Sequence, residues 1–518
     1  MITMALWRST VIVSALTMLS RVLGLVRDVV LLNVFGAGKD FDTFVVAFRI
    51  PNFFRRLFAE GAFSQAFIPV LTEYKTTRIH AEVQILISRV FGCLSAFMTL
   101  LTMLAMIAAP VIIYIYAPGF NHDAAKFTMA TEMFRLTIPY LLFMSLTAFA
   151  SSILNSYGSF ALPAFAPVLL NAAMIAAALW LTPYMAEPIM ALGWAVLIAG
   201  ILQFAIQVPE LWQRKLLIPP KIDFKHEGVQ RILRLMLPAL FGVSVTQINL
   251  LLNTIWASFM QDGAVSWLYS AERMTELPLG LIGVAISTVI LPSLSAEYSQ
   301  QDKTKFKGLM DWAAKVVVLV GVPSSIALFM LSTPIIQALF QRGQFTLEDT
   351  QMTALALQCM SAGVISFMLI KVFAPGFYAQ QDMKTPVRVG LMAVAANAIF
   401  NVIFIGLFKL INWHADHMAL AIASSGSALV NAGMLYFYLH KRNIFRFASH
   451  WKKLVLQFAI ANMAMVLALW FALSHYNGEV SQWIRVLEVI GLCVVGVLTY
   501  AITLFIAGFR PRDLKPEA

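Results

Sequence analysis

The sequence predicts an all-α polytopic membrane protein of fourteen transmembrane helices, and three observations carry that prediction. Of its 518 residues, 60% are hydrophobic and only 12% are charged, about half the charge of an ordinary soluble chain. So little charge cannot clothe a water-facing surface, which excludes a soluble enzyme, a disordered chain and a nucleic-acid binder. Apolar stretches long enough to span a bilayer, about 20 residues each, recur from one end to the other. The chain also resembles itself at an offset of about 224 residues.

The spans fall near 9–35, 43–72, 84–117, 128–154, 160–182, 186–211, 230–260, 264–296, 308–340, 350–378, 386–410, 416–439, 452–475 and 482–508. The first begins after Arg8 like a signal peptide. It lacks a small-x-small cleavage site and runs on through Arg21 and Arg27, so it reads as an uncleaved helix. The second, Asp42 to Tyr74, is too long: its residues would make roughly 50 Å of helix against a hydrocarbon core of about 30 Å. Pro51 and Gly61 are the points where it would bend. Cys93, Cys359 and Cys493 each lie in an apolar stretch without CxxC spacing, so no disulfide or zinc site is expected. With the N-terminus in the cytoplasm, twenty-two Lys and Arg fall in inner loops and flanks and four (Lys39, Lys126, Arg342, Lys409) in outer ones. Basic residues retained on the cytoplasmic side set orientation, so both termini are expected there.

In the repeat, Pro69 and Glu73 align with Pro292 and Glu297, Pro110 with Pro334, Pro163 with Pro386, and Arg49 with Arg273. Six spans per repeat means both halves enter the membrane in the same sense. Such parallel repeats enclose a midplane substrate site in secondary transporters. The expected organisation is an N-lobe (1–211), a basic cytoplasmic linker (212–229), a C-lobe (230–441) and a C-terminal pair of spans with a cytoplasmic tail (442–518).

Charges at bilayer depth need a partner or a watery cavity. The first span holds Arg21, Arg27 and Asp28; the second holds Arg49, Arg55, Arg56 and Glu60; the eighth holds Glu272, Arg273 and Glu276. Asp28 adjoins Arg27, Glu60 follows Arg56 by one turn, and Glu276 follows Arg273 at i+3, which leaves Arg21, Arg49 and Arg55 without a local counter-charge. Six arginines against four carboxylates suit an anionic ligand, because the guanidinium fork bonds phosphate oxygens bidentately. The competing reading is a self-neutralising network with snorkelling arms. Lys371, about two turns inside its span, reads equally as snorkelling or cavity-lining. Glu132 and Arg135 read as a surface pair, and His414, Asp416 and His417 as a solvated outer turn rather than a metal site. Asn249, Asn253, Asn397 and Asn401 read as interhelical hydrogen-bonders rather than a cation site.

The segments SRVLGLVRD (20–28), FGAG (35–38), AFRIPNFFRRLFAEGAFSQAFIPVLTEY (47–74), PAFAPVLLN (163–171), AERMTELPLG (271–280) and APGFYAQQDMKTPV (374–387) together resemble the MurJ (MviN) lipid II flippase family. That family lies in the multidrug/oligosaccharidyl-lipid/polysaccharide exporter superfamily, and the likeness covers almost the whole chain. The resemblance implies a MATE-like, V-shaped cationic cavity between two lobes. It also implies transport of undecaprenyl-pyrophosphate disaccharide-pentapeptide from the cytoplasmic to the periplasmic leaflet of the bacterial inner membrane, by alternating access, for cell wall synthesis. It places substrate-binding arginines at Arg21, Arg27, Arg55 and Arg273, and acidic partners or gate residues at Asp28, Asp42, Glu60 and Glu276. Arg49, Arg56 and Lys371 are supporting candidates from their charge and depth. The last two spans are implied to line a groove for the lipid tail. The family's sodium site needs an aspartate in the seventh span, and this sequence has none there. The expected partners are lipid II and membrane lipids, with no nucleic acid, no metal, no cofactor and no catalysis. A functional monomer whose transport depends on membrane potential is expected. The rival is a cation-coupled drug exporter or other lipid-linked oligosaccharide exporter of the same superfamily, which should carry carboxylates where this chain carries arginines.

Overall fold

A computed structural model describes residues 2–56, 63–280, 284–411, 413–447 and 450–514. Among the described residues the chain is helical, with no strand. In order come α1 (Ile2–Phe35), α2 (Lys39–Phe54), α3 (Phe63–Thr77), α4 (His80–Ile107), α5 (Ala109–Tyr116), α6 (Ala124–Thr137) and α7 (Tyr140–Ser156). Then follow α8 (Ala161–Ala176), α9 (Met190–Ala205), α10 (Val208–Gln213), α11 (Glu227–Ala257), α12 (Ala264–Pro278) and α13 (Val284–Ser299). The chain ends with α14 (Lys303–Met330), α15 (Ser332–Phe340), α16 (Leu347–Tyr378), α17 (Lys384–Leu410), α18 (His417–Lys441), α19 (Trp451–Leu473) and α20 (Gln482–Ile506). Among the described residues, ten helical stretches are long and apolar enough to cross a membrane.

Within the over-long second segment the structure describes α2 up to Phe54 and α3 from Phe63. Pro51 lies inside α2, where it can donate no backbone hydrogen bond, and α2 passes into a π turn at Arg55 and Arg56. The helix is found again as α3 from Phe63. Gly61, the other expected bend, lies outside the described residues.

Element bounds recur at the offset of the sequence repeat. Shifting α2, α4, α5 and α8 by about 224 residues lands on α12, α14, α15 and α17, and α1 lands on α11. The N-caps recur as well. Asp123 caps α6 through the Ala125 and Lys126 amides, and Thr346 closes a capping box with Asp349 at the start of α16. Left-handed residues end alternate segments: Gly158, Lys215, Gln301, Gln381, Asn443 and Gly508 all have positive φ. The amide of the following residue reaches back across the turn, as Asp382 does to Phe377 O and Ile444 to Leu439 O. These carboxyl ends carry the negative pole of their helices, and several open into the loops that hold the basic residues.

The chain forms two compact units, residues 1–266 and 267–518. In the first, α1 packs on α8 and α11 packs on α3, α4 and α5, around the rings of Phe63, Phe67, Phe91 and Phe149. In the second, α16 packs with α14 and α18, and α20 packs on α15. Trp451 Nε1 donates to Asp311 at 2.6 Å, which pins the start of α19 to α14. The expected solvated turn at 414–417 is corrected at its last residue. His417 is buried, meets the Trp267 ring at 5.0 Å and reaches Met352 O at 2.8 Å, while Trp267 Nε1 donates to Asp349. The reason is local: His417 opens α18 and faces the start of α16.

The basic segment after α10 lies along one face of α4. Gln84 donates to Lys215 O, Ser88 donates to Pro219 O, the Lys221 amide donates to Ser88 O, and the Asp223 amide donates to Cys93 Sγ. A Cβ at Gly92 would sit 2.3 Å from Lys221 O, so only glycine lets the strap lie this close. Gly92→Val should undock it and cost about 1–3 kcal/mol, as overpacking does. On a Cys359→Ser, Cys493→Ser background, maleimide labelling of Cys93 should become fast; labelling as slow as in the parent contradicts the strap.

Candidate functional site

Asp42 is the most completely enclosed of the charged candidates. Its side chain is fully buried at the start of α2. It accepts bonds from the Gly263 amide (2.8 Å), the Ser266 amide (2.9 Å), the Ser266 hydroxyl (2.5 Å) and Lys126 Nζ (3.3 Å). Lys126 is buried too and donates to Asp262 at 2.6 Å. A carboxylate in an apolar interior persists only when such donors replace its water. Beside it, the Gly119 amide donates to Ser258 Oγ at 3.0 Å, and Lys39 pairs with Asp123. The Lys39 bond holds the Asp123 carboxyl below the usual carboxylate range. Together these contacts clasp α2 and α6 to the turn between α11 and α12.

Deeper in, Arg27 is buried, bonds Asp28 Oδ1 through two nitrogens at 2.9 and 2.6 Å, and reaches Asn171 Oδ1 on α8 at 3.1 Å. Asn171 in turn donates to Ser20 O. Arg49 is half-buried and donates to Thr254 Oγ1 at 2.6 Å, and that hydroxyl is itself tied to Leu250 O. Arg55 donates to Asn52 at 2.9 Å, and Arg56 beside it is half-buried. Arg21 is exposed on α1, and among the described residues its side chain makes no hydrogen bond or ion pair. In the second unit, Arg273 on α12 is half-buried. It bonds Glu276 at 3.0 Å and Tyr269 Oη at 3.1 Å, with its guanidinium 5.1 Å from the Tyr269 ring. Glu276 is exposed, as is Lys371 on α16. Glu60 lies outside the described residues.

The structure thus brings Arg27 with Asp28, Arg273 with Glu276, and Arg49 with a neutral hydroxyl. Sequence reasoning missed Lys126 and Asn171. The sequence places Lys126 among the basic residues of the outer loops, and no periodicity marks it as buried, because its partners come from α2 and from the turn after α11. Asn171 closes the PAFAPVLLN segment, an amide at the end of an apolar run, which is the one signal that could have marked it. The expected surface pair of Glu132 and Arg135 is corrected: both are exposed, and Arg135 Nε turns to Met106 O at 3.3 Å, a backbone acceptor within its reach. Buried Asn397 and Asn401 lie one turn apart on α17, and no metal-ligating cluster is found among the described residues.

The profile of the family described as "Lipid II flippase MurJ" matches residues 31–491. A probable lipid II flippase MurJ of Haemophilus influenzae is 42% identical, over 96% of this chain and 99% of its own. Among solved structures, a lipid II flippase MurJ in an inward closed conformation superposes with a TM-score of 0.80 at 26% identity, covering 97% of this chain and 99% of that one. An inward-facing MATE-family multidrug transporter of the MOP superfamily shares the fold, with a TM-score of 0.64 at 15% identity over 83% of this chain and 97% of its own.

Removing Asp42 leaves Gly263, Ser266 and Lys126 donors facing an apolar void. Asp42→Ala should cost about 3–5 kcal/mol, as breaking a buried pair does, while Ser266→Ala should cost about 1 kcal/mol. Thermal unfolding of the purified variants measures both; equal, small losses contradict the clasp.

Proposed function

The chain belongs to the MurJ lipid II flippase family and is a multi-pass membrane protein that flips lipid II for peptidoglycan synthesis; from that premise we propose how its residues carry the headgroup. The observation that carries the proposal is the concentration of arginine on α1, α2 and α12 in a chain with 12% charge. Moving a pyrophosphate with its sugars and peptide through hydrocarbon unaided is prohibitive. Arg21, Arg27, Arg55 and Arg273 take the place of its water, since guanidinium groups remain charged and bond phosphate oxygens in pairs. Asp28, Glu60 and Glu276 hold those arms when no substrate is present, Arg49, Arg56 and Lys371 add positive potential, and Asp42 latches the outer side.

The proposed topology has fourteen spans. To the ten apolar stretches are added α1, the α2–α3 pair, α11 and the α12–α13 pair. Of these, α1 and the two pairs carry the functional charge, as a transport path requires of helices that face a cavity rather than lipid. Both termini lie in the cytoplasm, the protein sits in the bacterial inner membrane, and it works as a monomer. The two repeats act as N- and C-lobes around a central cavity, rocking to open it to one side and then the other. The polyprenyl tail stays in lipid beside α19 and α20, the helices outside the repeat. An inside-negative potential favours outward movement of anions by about 2.3 kcal/mol per charge per 100 mV.

Arg21 tests the carrier role cleanly, because its exposed side chain makes no hydrogen bond or ion pair among the described residues. Arg21→Ala should leave thermal stability within about 0.5 kcal/mol and cut lipid II flipping in proteoliposomes by about tenfold or more, the worth of a lost charged hydrogen bond. Parental flipping by this variant removes Arg21 from the path. Collapsing the potential alone should slow flipping in the same vesicles; unchanged flux removes voltage as a driver.

A further inference from the structure

Within the first unit, an apolar cavity of about 290 Å³ lies between α3, α4, α7 and α11, lined by Phe63, Val90, Phe97, Ala148, Phe224 and Leu233 among others. That is the small end of the range for ligand pockets. Phe97, Phe224 and Leu233 are each more than two-fifths exposed, so the cavity opens sideways through apolar side chains. No residue of the proposed headgroup path lines it.

The rim beside the opening is basic. Phe224 is carried by the strap that crosses α4, between Lys221 and Lys225, and Leu233 precedes Arg234 on α11. Lys221, Lys225 and Arg234 are exposed, and among the described residues no ion pair engages them. Arg89 and Arg231 are paired, with Asp223 at 3.6 Å and Glu73 at 2.7 Å. Glu227 is the exposed acid nearest in sequence. Ile222 and Phe224 are exposed on the same strap, alternating with Lys221, Asp223 and Lys225, and Asp223 is itself taken up by Arg89; interleaved apolar and charged side chains suit a segment seated at a bilayer surface. An apolar slot open to lipid, headed by three unengaged cations, has the chemistry of one acyl chain below one anionic headgroup.

We propose that this cavity is a binding site for an anionic phospholipid of the leaflet next to the 215–226 strap, with one acyl chain between α4 and α11 and the headgroup on Lys221, Lys225 and Arg234. The lipid fills the gap between two helices that otherwise touch through few side chains there, and it holds α11 against α4. It is distinct from the passenger: its site lies within one unit, and none of Arg21, Arg27 and Arg55 lines it.

The full-length protein in phosphatidylcholine nanodiscs tests this, using a phosphatidylglycerol probe with a photoactivatable acyl chain and the matching phosphatidylcholine probe. The phosphatidylglycerol probe should label peptides spanning 90–98 and 229–237 preferentially. Each cation near an anionic headgroup is worth roughly fivefold, so Lys221→Ala, Lys225→Ala, Arg234→Ala together should cut that labelling by about tenfold or more without changing thermal stability. Leu233→Trp, at the mouth, should block labelling while the basic rim remains. Equal labelling by both probes, labelling indifferent to both sets of substitutions, or displacement of the probe by undecaprenyl pyrophosphate overturns the proposal, the last by making the slot a substrate site.

Discussion

A charge at bilayer depth must be answered by another charge, by dipoles or by water, and this fold is organised around how each of its charges is answered. Asp42 represents one extreme. Four donors from three residues surround it, so it acts as structure. Arg21 represents the other, exposed and without a side-chain bond among the described residues. Between them stand Arg27, Arg49 and Arg273, whose guanidinium groups rest on an acid, a hydroxyl and an acid. Of the three, Arg27 is buried with its acid, as Asp42 is, while Arg49 and Arg273 are half-buried.

The repeat places the charged helices at matching positions in the two halves. α2 and α12 occupy the same place in the two halves, each carries arginine, and each is followed after a short interval by a second helix, α3 or α13. The two halves nonetheless differ: α1 packs on α8, while its counterpart α11 packs on α3, α4 and α5.

Much of this was legible in the sequence because membranes make local pattern decisive. Each long apolar run had to become a helix, and helix α2 runs through Pro51 into a π turn at Arg55 and Arg56. The Arg27–Asp28 and Arg273–Glu276 pairs could be read because their members are neighbours in sequence. What could not be read were the contacts made over long separations. Lys126 is an ordinary outer-loop lysine until α2 and the turn before α12 close over it. His417 looks solvated until α16 and Trp267 pack against it. The 212–229 segment reads only as a basic linker because nothing in its own residues reveals that Gly92 gives it a bed on α4.

The central claim is that these arginines are tolerated because a negatively charged passenger visits them. The most direct test is thermal stabilisation of the purified protein by undecaprenyl pyrophosphate, undecaprenyl phosphate and undecaprenol, since a ligand that binds the folded state raises its stability in proportion to the logarithm of its occupancy. Stabilisation should rise with headgroup charge and vanish in an Arg21→Gln, Arg55→Gln, Arg273→Gln protein. Equal stabilisation by the neutral alcohol, or a full response retained in the triple variant, would contradict the account.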